Sequence, residues 1–563
     1  MLAVATCRSY AAGVFIKRNR STTGDKQYRS VLLVHGERVP ARRGPGRPRA
    51  DEARRTTVVH RTLANLTKLP EELVNLIEAY CRGETWSVGS SERASPVVGR
   101  AYGPLAGLLG IARECGVDAA LGDSRMGRLA MFLVLARVAH RGSRLSATRW
   151  AETQAVGEAL GLGAFDEDDL YEALDWMCDR QAAIEKHLAR GLKRSPSTVY
   201  LYDVTSSYLE GQRNELAAPG YNRDGKRFKK QIVVGLLTDG EGEPISVQVF
   251  EGNTADPKTV ADQVRKLSEE FGAKDVALVG DRGMLKGPQR ELLGEAGLRY
   301  VTALTDAQIR TRLASGVLQL ELFAENVAEI AHDGVRHVLR RNPATTDRER
   351  SRRTDQIRAV QRKVDAHNER LAEKARASLE TSIAQVQRWL GRYKLDAFVS
   401  VCAEGRRISL SVDEESKRKH EELDGCYVVV SDLPKEAADA ECIWARYGDL
   451  QRVERDFRTM KTGLLELRPV FLRKANRTRA HAFVCMLALR IVRALERKVK
   501  PIGLTVRDAL DRLDGVRLVT LADPALGLWS LPTRWDAPQR AVLSVLPPLP
   551  APMLSPRQAT VST

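Results

Sequence analysis

Three carboxylates have the residue types and surroundings needed for metal-ion chemistry. Asp203 lies in YLYDVTSSY, where a lone charge among Tyr and Val residues is costly unless it is paired or bound to a metal ion. Asp281 ends the strand-like run VALVGD, and Glu454 lies in YGDLQRVERDFRTMK. Carboxylates gathered in this way can hold two Mg²⁺ ions, which clamp the attacking and leaving oxygens of an in-line displacement at a phosphodiester. Taken singly, each residue has a simpler explanation, because Asp often forms turns and a helical Glu usually faces solvent.

Helical spacing adds information about the third carboxylate. Tyr447, Leu450, Glu454 and Lys461 lie at i, i+3, i+7 and i+14, which places them on one face of a predicted helix. An apolar stripe on another face comprises Val453, Phe457, Met460 and Leu464. The helix can therefore pack with one face while it presents a stacking Tyr, a metal-binding Glu and a phosphate-binding Lys on the other.

The elements around these residues predict an α/β fold. Segments 197–211 and 230–252 are rich in β-branched and aromatic residues, with a hairpin turn at Asp239-Gly240. A helical pattern, a buried strand before Asp281, another helix and another strand follow. The resulting order β-β-β-α-β-α-β predicts a ribonuclease-H-like catalytic core with a large insertion, preceded by a helical domain.

The predicted domain organisation has six parts. We expect the boundaries to be 1–70 (basic and β-rich), 71–195 (helical, DNA-binding), 196–306 (first part of the core), 307–430 (insertion with a basic helical stretch and strands), 431–500 (second part of the core) and 501–563 (C-terminal region). The Pro-rich tail from residue 530 is predicted to be disordered.

The distribution of charge points to a polyanionic partner. The chain of 563 residues has a formal net charge of +17, and its basic residues cluster. Residues 336–376 hold 13 basic and 6 acidic side chains, residues 446–479 hold 10 and 4, and residues 36–61 hold 8 and 3. Such clusters suit a surface that follows a nucleic-acid backbone. The Gly/Pro/Arg stretch at 41–55 partly resembles a minor-groove AT-hook, but the match is incomplete and a flexible basic loop is the favoured explanation.

Cysteine spacing and hydropathy narrow the class of protein further. The eight cysteines are scattered without CxxC or Cys/His ligand spacing, which argues against a zinc site and against a disulfide framework. The longest apolar run, LAMFLVLA at 129–136, is much shorter than a membrane span. We therefore expect a cytoplasmic, nucleoid-associated protein with no membrane partner.

The chain resembles DDE-type insertion-sequence transposases of the IS-four superfamily. The pattern Y447-x2-L450-x3-E454-x6-K461 is similar to the Tyr-Arg-Glu-Lys (YREK) signature of that group, with Leu450 in place of the signature Arg. YLYDVTSSY and VALVGDRGM resemble the segments that carry the first and second catalytic Asp. The resemblance covers roughly residues 55–500.

This resemblance implies DNA transposition by two-metal chemistry. Asp203, Asp281 and Glu454 would be the catalytic residues and the ligands of two Mg²⁺ ions. The implied partner is double-stranded DNA with terminal inverted repeats, bound by a homodimer. The implied DNA-binding residues are Tyr447, Lys461, Arg282, Arg446, Arg452 and Arg458, with Arg446 or Arg452 replacing the missing signature Arg.

Two other functions remain open at the level of sequence. A metal-dependent nuclease would keep the fold and the three carboxylates but would not transpose DNA. A DNA-binding protein could retain the fold without activity, although the presence of all three carboxylates argues against decay at the ligands themselves. A ribonuclease would need to recognise 2′-hydroxyls, and nothing in the sequence signals that.

Overall fold

A computed structural model describes most of the chain as two compact units. The described residues are 14–23, 26–40, 56–81, 96–190, 198–211, 213–221, 223, 225–226, 228–324, 327–468, 471–523 and 527–550. The smaller unit is Met1–Ser95 with Asp523–Leu526, and the larger unit is Pro96–Ala522 with Gly527–Thr563. Within the described residues, no helix combines the length and the apolar character needed to cross a bilayer.

The smaller unit is a three-stranded sheet with one helix. Its elements are β1 (Val14–Thr23), β2 (Lys26–Pro40), β3 (Thr56–Asn65) and α1 (Glu71–Cys81). All strand pairs are antiparallel, in the order β1-β2-β3. The β-like patches of the N-terminal sequence therefore form strands, whereas the AT-hook-like stretch at 41–55 lies outside the described residues.

The larger unit begins with one strand and six helices. They are β4 (Pro96–Ala101), α2 (Gly103–Glu114), α3 (Val117–Leu121), α4 (Arg125–Ala139), α5 (Arg144–Thr153), α6 (Val156–Leu160) and α7 (Glu167–Ala189). The long helix α7 starts with a capping box, in which the Asp166 and Asp169 side chains each accept a hydrogen bond from the other residue's backbone N–H. Apolar side chains of α2, α4 and α7 share one core with the later helix Ala475–Val499.

The next elements appear in the predicted order β-β-β-α-β-α-β. They are β5 (Val199–Tyr208), β6 (Gln231–Asp239), β7 (Pro244–Glu251), α8 (Asp256–Arg265), β8 (Ala277–Gly280), α9 (Gly287–Glu295) and β9 (Arg299–Ala303). A π-helical turn, Lys266–Glu270, extends α8. Strands β5, β6 and β7 are antiparallel neighbours, and β8 and β9 run parallel to β5. The mixed α/β sheet predicted from the sequence is thus present.

The segment that follows β9 adds both strands and helices. Its elements are α10 (Asp306–Ala314), β10 (Ala328–His332), β11 (Val335–Arg341), α11 (Pro343–Glu373), α12 (Leu379–Tyr393), β12 (Val399–Glu404), β13 (Arg407–Val412), α13 (Glu414–Glu421) and β14 (Cys426–Ser431). Strands β12 and β13 form a separate hairpin. Strands β10, β11 and β14 join the large sheet, which has the order β10-β11-β14-β9-β8-β5-β6-β7.

The C-terminal part of the larger unit is mostly helical. It contains α14 (Ala440–Gly448), α15 (Leu450–Arg458), a π-helical turn (Thr459–Gly463), α16 (Ala475–Val499), α17 (Val506–Asp514), β15 (Arg517–Asp523), β16 (Gly527–Pro532) and α18 (Ala537–Leu543). The prediction of disorder from residue 530 is wrong for residues 530–550. An Asp536–Gln539 capping box starts α18, and Val542 is fully buried in the core. A high proline content therefore did not indicate disorder in residues 530–550, because this segment packs against the core.

Strand β5 is central, and its alternating side chains enter two cores. Leu201 belongs to the core that contains α15 and α16, whereas Tyr200, Tyr202 and Val204 belong to the core that contains α8 and α9. This is the period-two pattern of a strand covered on both faces. Asp203 has the same parity as Leu201, so it lies on the face of the sheet where α15 packs.

A close contact beside this strand predicts a destabilising substitution. A Cβ atom at Gly235 on β6 would lie 2.4 Å from the hydroxyl oxygen of Tyr202, which is fully buried. Gly235→Ala should lower the free energy of unfolding by about 1–3 kcal/mol, because the Tyr202 ring must shift in a filled core. Urea denaturation measures the change.

The matched control is Gly163→Ala, since nothing lies within 4 Å of a Cβ at that position. Equal stability of the Gly235→Ala and Gly163→Ala variants would show that the Tyr202 ring is not held in place.

Candidate active site

The first two carboxylates are brought together by parallel strands. In the register of β5 with β8, Tyr202 lies opposite Gly280. Asp203 and Asp281 are the residues that directly follow this pair, so their backbones are adjacent. Adjacent strands are about 4.8 Å apart, which puts the two backbones within reach of one ion. The Asp203 Oδ1 atom accepts a hydrogen bond from the Val204 N–H at 2.8 Å, and the Asp281 Oδ1 atom accepts one from the Arg282 N–H at 2.8 Å.

The third carboxylate comes from α15. Glu454 is exposed on this helix, whereas Val453 and Phe457 are buried and anchor the helix in the core. Asp203, Asp281 and Glu454 all line one cavity of about 900 Å³. The apolar stripe predicted from the sequence is therefore the packed face, and the face with Glu454 opens into the cavity.

The pKa of Asp203 is raised by burial and by the charges of the other two carboxylates. Burial raises the pKa of Asp203 to about 7, and the charges of Asp281 and Glu454 raise it as well. The Val204 N–H and the Arg223 guanidinium act in the opposite direction and lower it. Burial is therefore the main reason that the charged form of Asp203 is disfavoured, and the two neighbouring carboxylates add to it.

Tyr447 is held against the second carboxylate. Its hydroxyl donates a hydrogen bond to the Asp281 Oδ1 atom at 3.2 Å. Burial and the charge of Asp281 raise the pKa of Tyr447 above its usual range, so the phenol stays protonated as a donor. The helix that carries it is not continuous with α15, because α14 ends at Gly448 and α15 starts at Leu450.

Three of the six predicted DNA-binding side chains line the active-site cavity. They are Tyr447, Arg458 and Lys461. Lys461 lies in the π-helical turn rather than in a regular α-helix, yet it reaches the same cavity as Glu454. Tyr447, Leu450, Glu454 and Lys461 thus line one cavity, but the prediction that one regular helix carries them is wrong.

The other three predicted DNA-binding residues lie elsewhere. Arg452 donates to the Gly240 carbonyl oxygen at 2.8 Å and pairs with Asp449 at 3.1 Å. Arg446 is buried. Arg282 lines a neighbouring cavity and lies 3.5 Å from Asp306.

Several side chains in the cavity were not singled out from the sequence. Arg223 donates through Nη1 to the Val204 carbonyl oxygen at 2.7 Å, and its Nη2 pairs with Asp256 at the start of α8. Arg348 enters from α11 and Arg468 from the segment after the π-helical turn. Two further aromatic side chains, Tyr427 and Trp444, also line the cavity, as does Phe457 of the predicted apolar stripe. Apart from Phe457, these residues are placed beside the three carboxylates only by the tertiary fold.

The comparison with known families agrees with this geometry. The family model described as "Transposase DDE domain" matches residues 194–491, which is more than half of the chain. The chain belongs to this family. The protein is a transposase, an enzyme that cleaves DNA and joins a cut strand to new DNA.

The similarity of this chain to a solved structure is weaker. A cryo-EM structure of a piggyBac transposase synaptic complex with hairpin DNA is similar with a TM-score of 0.35 and 10% identity, covering 69% of each chain. No curated protein matches the sequence of the transposase.

The donor chemistry of the cavity suits a divalent metal ion, which DDE transposases generally use. Asp203, Asp281 and Glu454 offer carboxylate oxygens, the ligands that hard cations prefer. A cation would also stabilise the charged form of Asp203, whose pKa is raised mainly by burial and further by the charges of Asp281 and Glu454. Among the described residues, however, no group of three or more His, Cys, Asp or Glu side chains already has the spacing of a metal site. The three carboxylates therefore line one cavity, but they are not close enough together to coordinate one ion as they stand.

Proposed function

We propose that this transposase cleaves DNA at the terminal inverted repeats of a mobile element and transfers the freed strand end to target DNA. The observation that carries the proposal is that Asp203, Asp281 and Glu454, which come from β5, the end of β8 and α15, line one cavity. In this proposal they are the catalytic residues and hold two Mg²⁺ ions. The ions supply Lewis-acid stabilisation of the attacking and leaving oxygens when they are bound.

The protein side chains perform the remaining tasks. Tyr447 orients the Asp281 carboxylate through its hydrogen bond. Glu454 is exposed and can move toward the two Asp carboxylates on a helix whose other face is anchored. Arg458 and Lys461 bind phosphates at the rim of the cavity, and the aromatic wall stacks on exposed bases.

The finer family assignment rests on the same cavity. We infer an IS-four-type, YREK-like site because Tyr447, Glu454 and Lys461 share one wall. Leu450 replaces the signature Arg, and Arg446 and Arg452 do not line the cavity. We propose that Arg348 or Arg458 makes the missing phosphate contact, since both do.

Strand order supports a ribonuclease-H-like core as part of this proposal. The five strands β7-β6-β5-β8-β9 form an antiparallel three-stranded part followed by two parallel strands. The first Asp lies on the central strand and the second follows its parallel neighbour. We further propose that the transposase acts as a homodimer on nucleoid DNA in the cytoplasm, and that residues 71–195 take part in recognising the element ends.

The test is cleavage of labelled DNA that carries the flanking repeats of the element, with Mg²⁺ or with a chelator. We expect cleavage at the repeat boundary with Mg²⁺, and a reduction of about a hundredfold in Glu454→Ala, because one ligand of the charge-stabilising ions is lost. Binding without cleavage under Mg²⁺ or Mn²⁺ would instead indicate an inactive DNA-binding relative. Cutting without regard to the repeats would indicate a nuclease.

A further inference from the structure

A second basic cavity lies next to the active site. It has a volume of about 710 Å³ and is lined by seven Arg and Lys side chains but only one carboxylate, Glu466. Phe471 at its edge is 69% exposed. Positive charges gathered around one cavity repel one another unless an anion enters. The cavity therefore has the composition of an anion-binding site.

The N-terminal ends of two helices add to the positive potential of this cavity. Arg144 is the first residue of α5. Arg477 and His481 lie in the first two turns of α16, a helix of 25 residues whose N-cap, Lys474, makes no side-chain capping hydrogen bond. The N-terminal end of a helix carries a partial positive charge that favours anions.

Three cations of this cavity have no ion-pair partner within the described part of the chain. Arg477 pairs with Asp175 at 2.9 Å, but no described carboxylate forms an ion pair with Arg137, Arg144 or Arg473. Burial and the charge of Arg137 lower the pKa of Arg144 to about 10. Burial and the same two Arg side chains lower the pKa of His481 well below its ordinary value, so it is neutral.

Arg137 supplies an independent sign of a missing ligand. Its side chain is only 9% exposed, and its two Nη atoms donate to the carbonyl oxygens of Arg141 and Gly142 at 3.1 and 3.2 Å. Its Nε atom is buried and has no hydrogen-bond partner among the described residues. A buried guanidinium N–H without an acceptor costs free energy, and an anion bound beside Arg137 would stabilise its buried charge.

The position of the cavity indicates which anion it takes. Arg468 lines both this cavity and the active-site cavity, and its guanidinium lies 5.3 Å from the centre of the Tyr208 ring. A polymer with regularly spaced phosphates can occupy both cavities at once, whereas a small anion cannot. We propose that the cavity binds a backbone phosphate of the DNA strand that continues out of the active site. The identification of the ligand as DNA rests on the proposed function.

The salt dependence of DNA binding tests this proposal. Each phosphate contact contributes about 0.9 to the slope of log affinity against log salt concentration. We therefore expect Arg144→Gln and Arg473→Gln each to reduce the loss of affinity between 50 and 200 mM salt by roughly threefold to fourfold. The measurement uses the full chain, a labelled duplex carrying the flanking repeats, and a chelator to prevent cleavage.

Two control variants make the test specific. Arg149→Gln changes an exposed side chain on the same helix as Arg144 that lines neither cavity, and it should leave the slope unchanged. Arg144→Lys keeps the charge and should keep most of the slope. Thermal melting checks that each variant is folded, and the exposed Arg473 provides a variant with little structural risk.

Failure of this proposal can be distinguished from failure of the proposed function. Slopes for Arg144→Gln and Arg473→Gln that equal those of wild type and Arg149→Gln would overturn the phosphate site, even if Glu454→Ala abolishes cleavage. Reduced slopes in a protein that does not cut at the repeats would support the phosphate site and count against the transposition site.

Discussion

Asp203→Asn should abolish DNA cleavage and at the same time stabilise the metal-free transposase. Cleavage should fall by roughly a thousandfold or more, because the substitution removes the most buried of the three proposed metal ligands. The free energy of unfolding at pH 8 should rise by about 2–4 kcal/mol, because a buried carboxylate with a pKa raised to about 7 is replaced by a neutral amide.

The pH dependence of this effect has a definite sign. The folded-state pKa of Asp203, about 7, lies above the ordinary value of 3.8, so the folded protein binds the proton more tightly than the unfolded chain. The stability of wild type should therefore fall as the pH rises from about 4 to about 7 and stay lower above that range. The Asp203→Asn variant should lack this pH-dependent part of the free energy of unfolding. Its gain in stability over wild type should therefore be smallest at pH 4.

Denaturant unfolding at pH 4 and pH 8, with and without Mg²⁺, measures the effect. Mg²⁺ should stabilise wild type at pH 8 more than it stabilises Asp203→Asn, because only the wild type has the full set of ligands. The control is Asp239→Asn, since burial also raises the pKa of Asp239 but this residue lies outside the active-site cavity. If Asp203→Asn destabilises the protein at pH 8, Asp203 is a structural carboxylate and not a metal ligand.

Arg493→Met should cause a large loss of stability at a position outside the active-site cavity. Asp456 on α15 is fully buried, and its Oδ1 atom accepts a hydrogen bond from the Nη2 atom of Arg493 on α16. Removing Arg493 leaves a buried charge without its partner, which costs about 3–5 kcal/mol in the free energy of unfolding. Because the helix that carries Asp456 also carries Glu454, cleavage should decrease as well.

The loss of stability in Arg493→Met should depend on pH. Burial already raises the pKa of Asp456 to about 6, and Arg493 acts to lower it. Without Arg493 the folded-state pKa rises further, so the loss should be larger at pH 8 than at pH 5, where protonation costs less. Guanidinium unfolding at both pH values measures it.

The double variant Arg493→Met/Asp456→Leu provides the control, because replacing both charges with apolar groups removes the unpaired charge. It should recover most of the lost stability. A double variant as unstable as Arg493→Met would show that packing, rather than charge, determines the loss.

The residues predicted from the sequence are those that can be recognised from the residue types and spacing of one short segment. Asp203 stands out because it is the one charged residue of the strand VYLYDVTSSY. Glu454 stands out because the helical spacing separates its face from the apolar stripe. Both patterns are properties of a few consecutive residues. The gathering of the three carboxylates in one cavity follows from parallel pairing of β5 with β8 and from packing of α15.

Features that depend on distant pairing were not predicted. The strand-like segments GVRHVLRRNP and GCYVVVSDL form β11 and β14, but their sequences do not show that they extend the main sheet. Arg223 and Arg348 reach the active site only because the chain returns there. The helix around Glu454 also differs from a regular one, because α14 ends before Leu450 and a π-helical turn follows Arg458.

The position of β14 in the sheet has a consequence for synthesis of the protein. Its partner β9 ends at Ala303, and roughly 120 further residues must be made before Cys426–Ser431 can pair with it. At about 5–20 residues per second, the ribosome leaves that edge of β9 open for roughly 6–25 seconds. Glu454 emerges later still, so a nascent chain carries Asp203 and Asp281 without the third carboxylate. The active site is thus completed only after Glu454 has been made, and products truncated before this residue lack it.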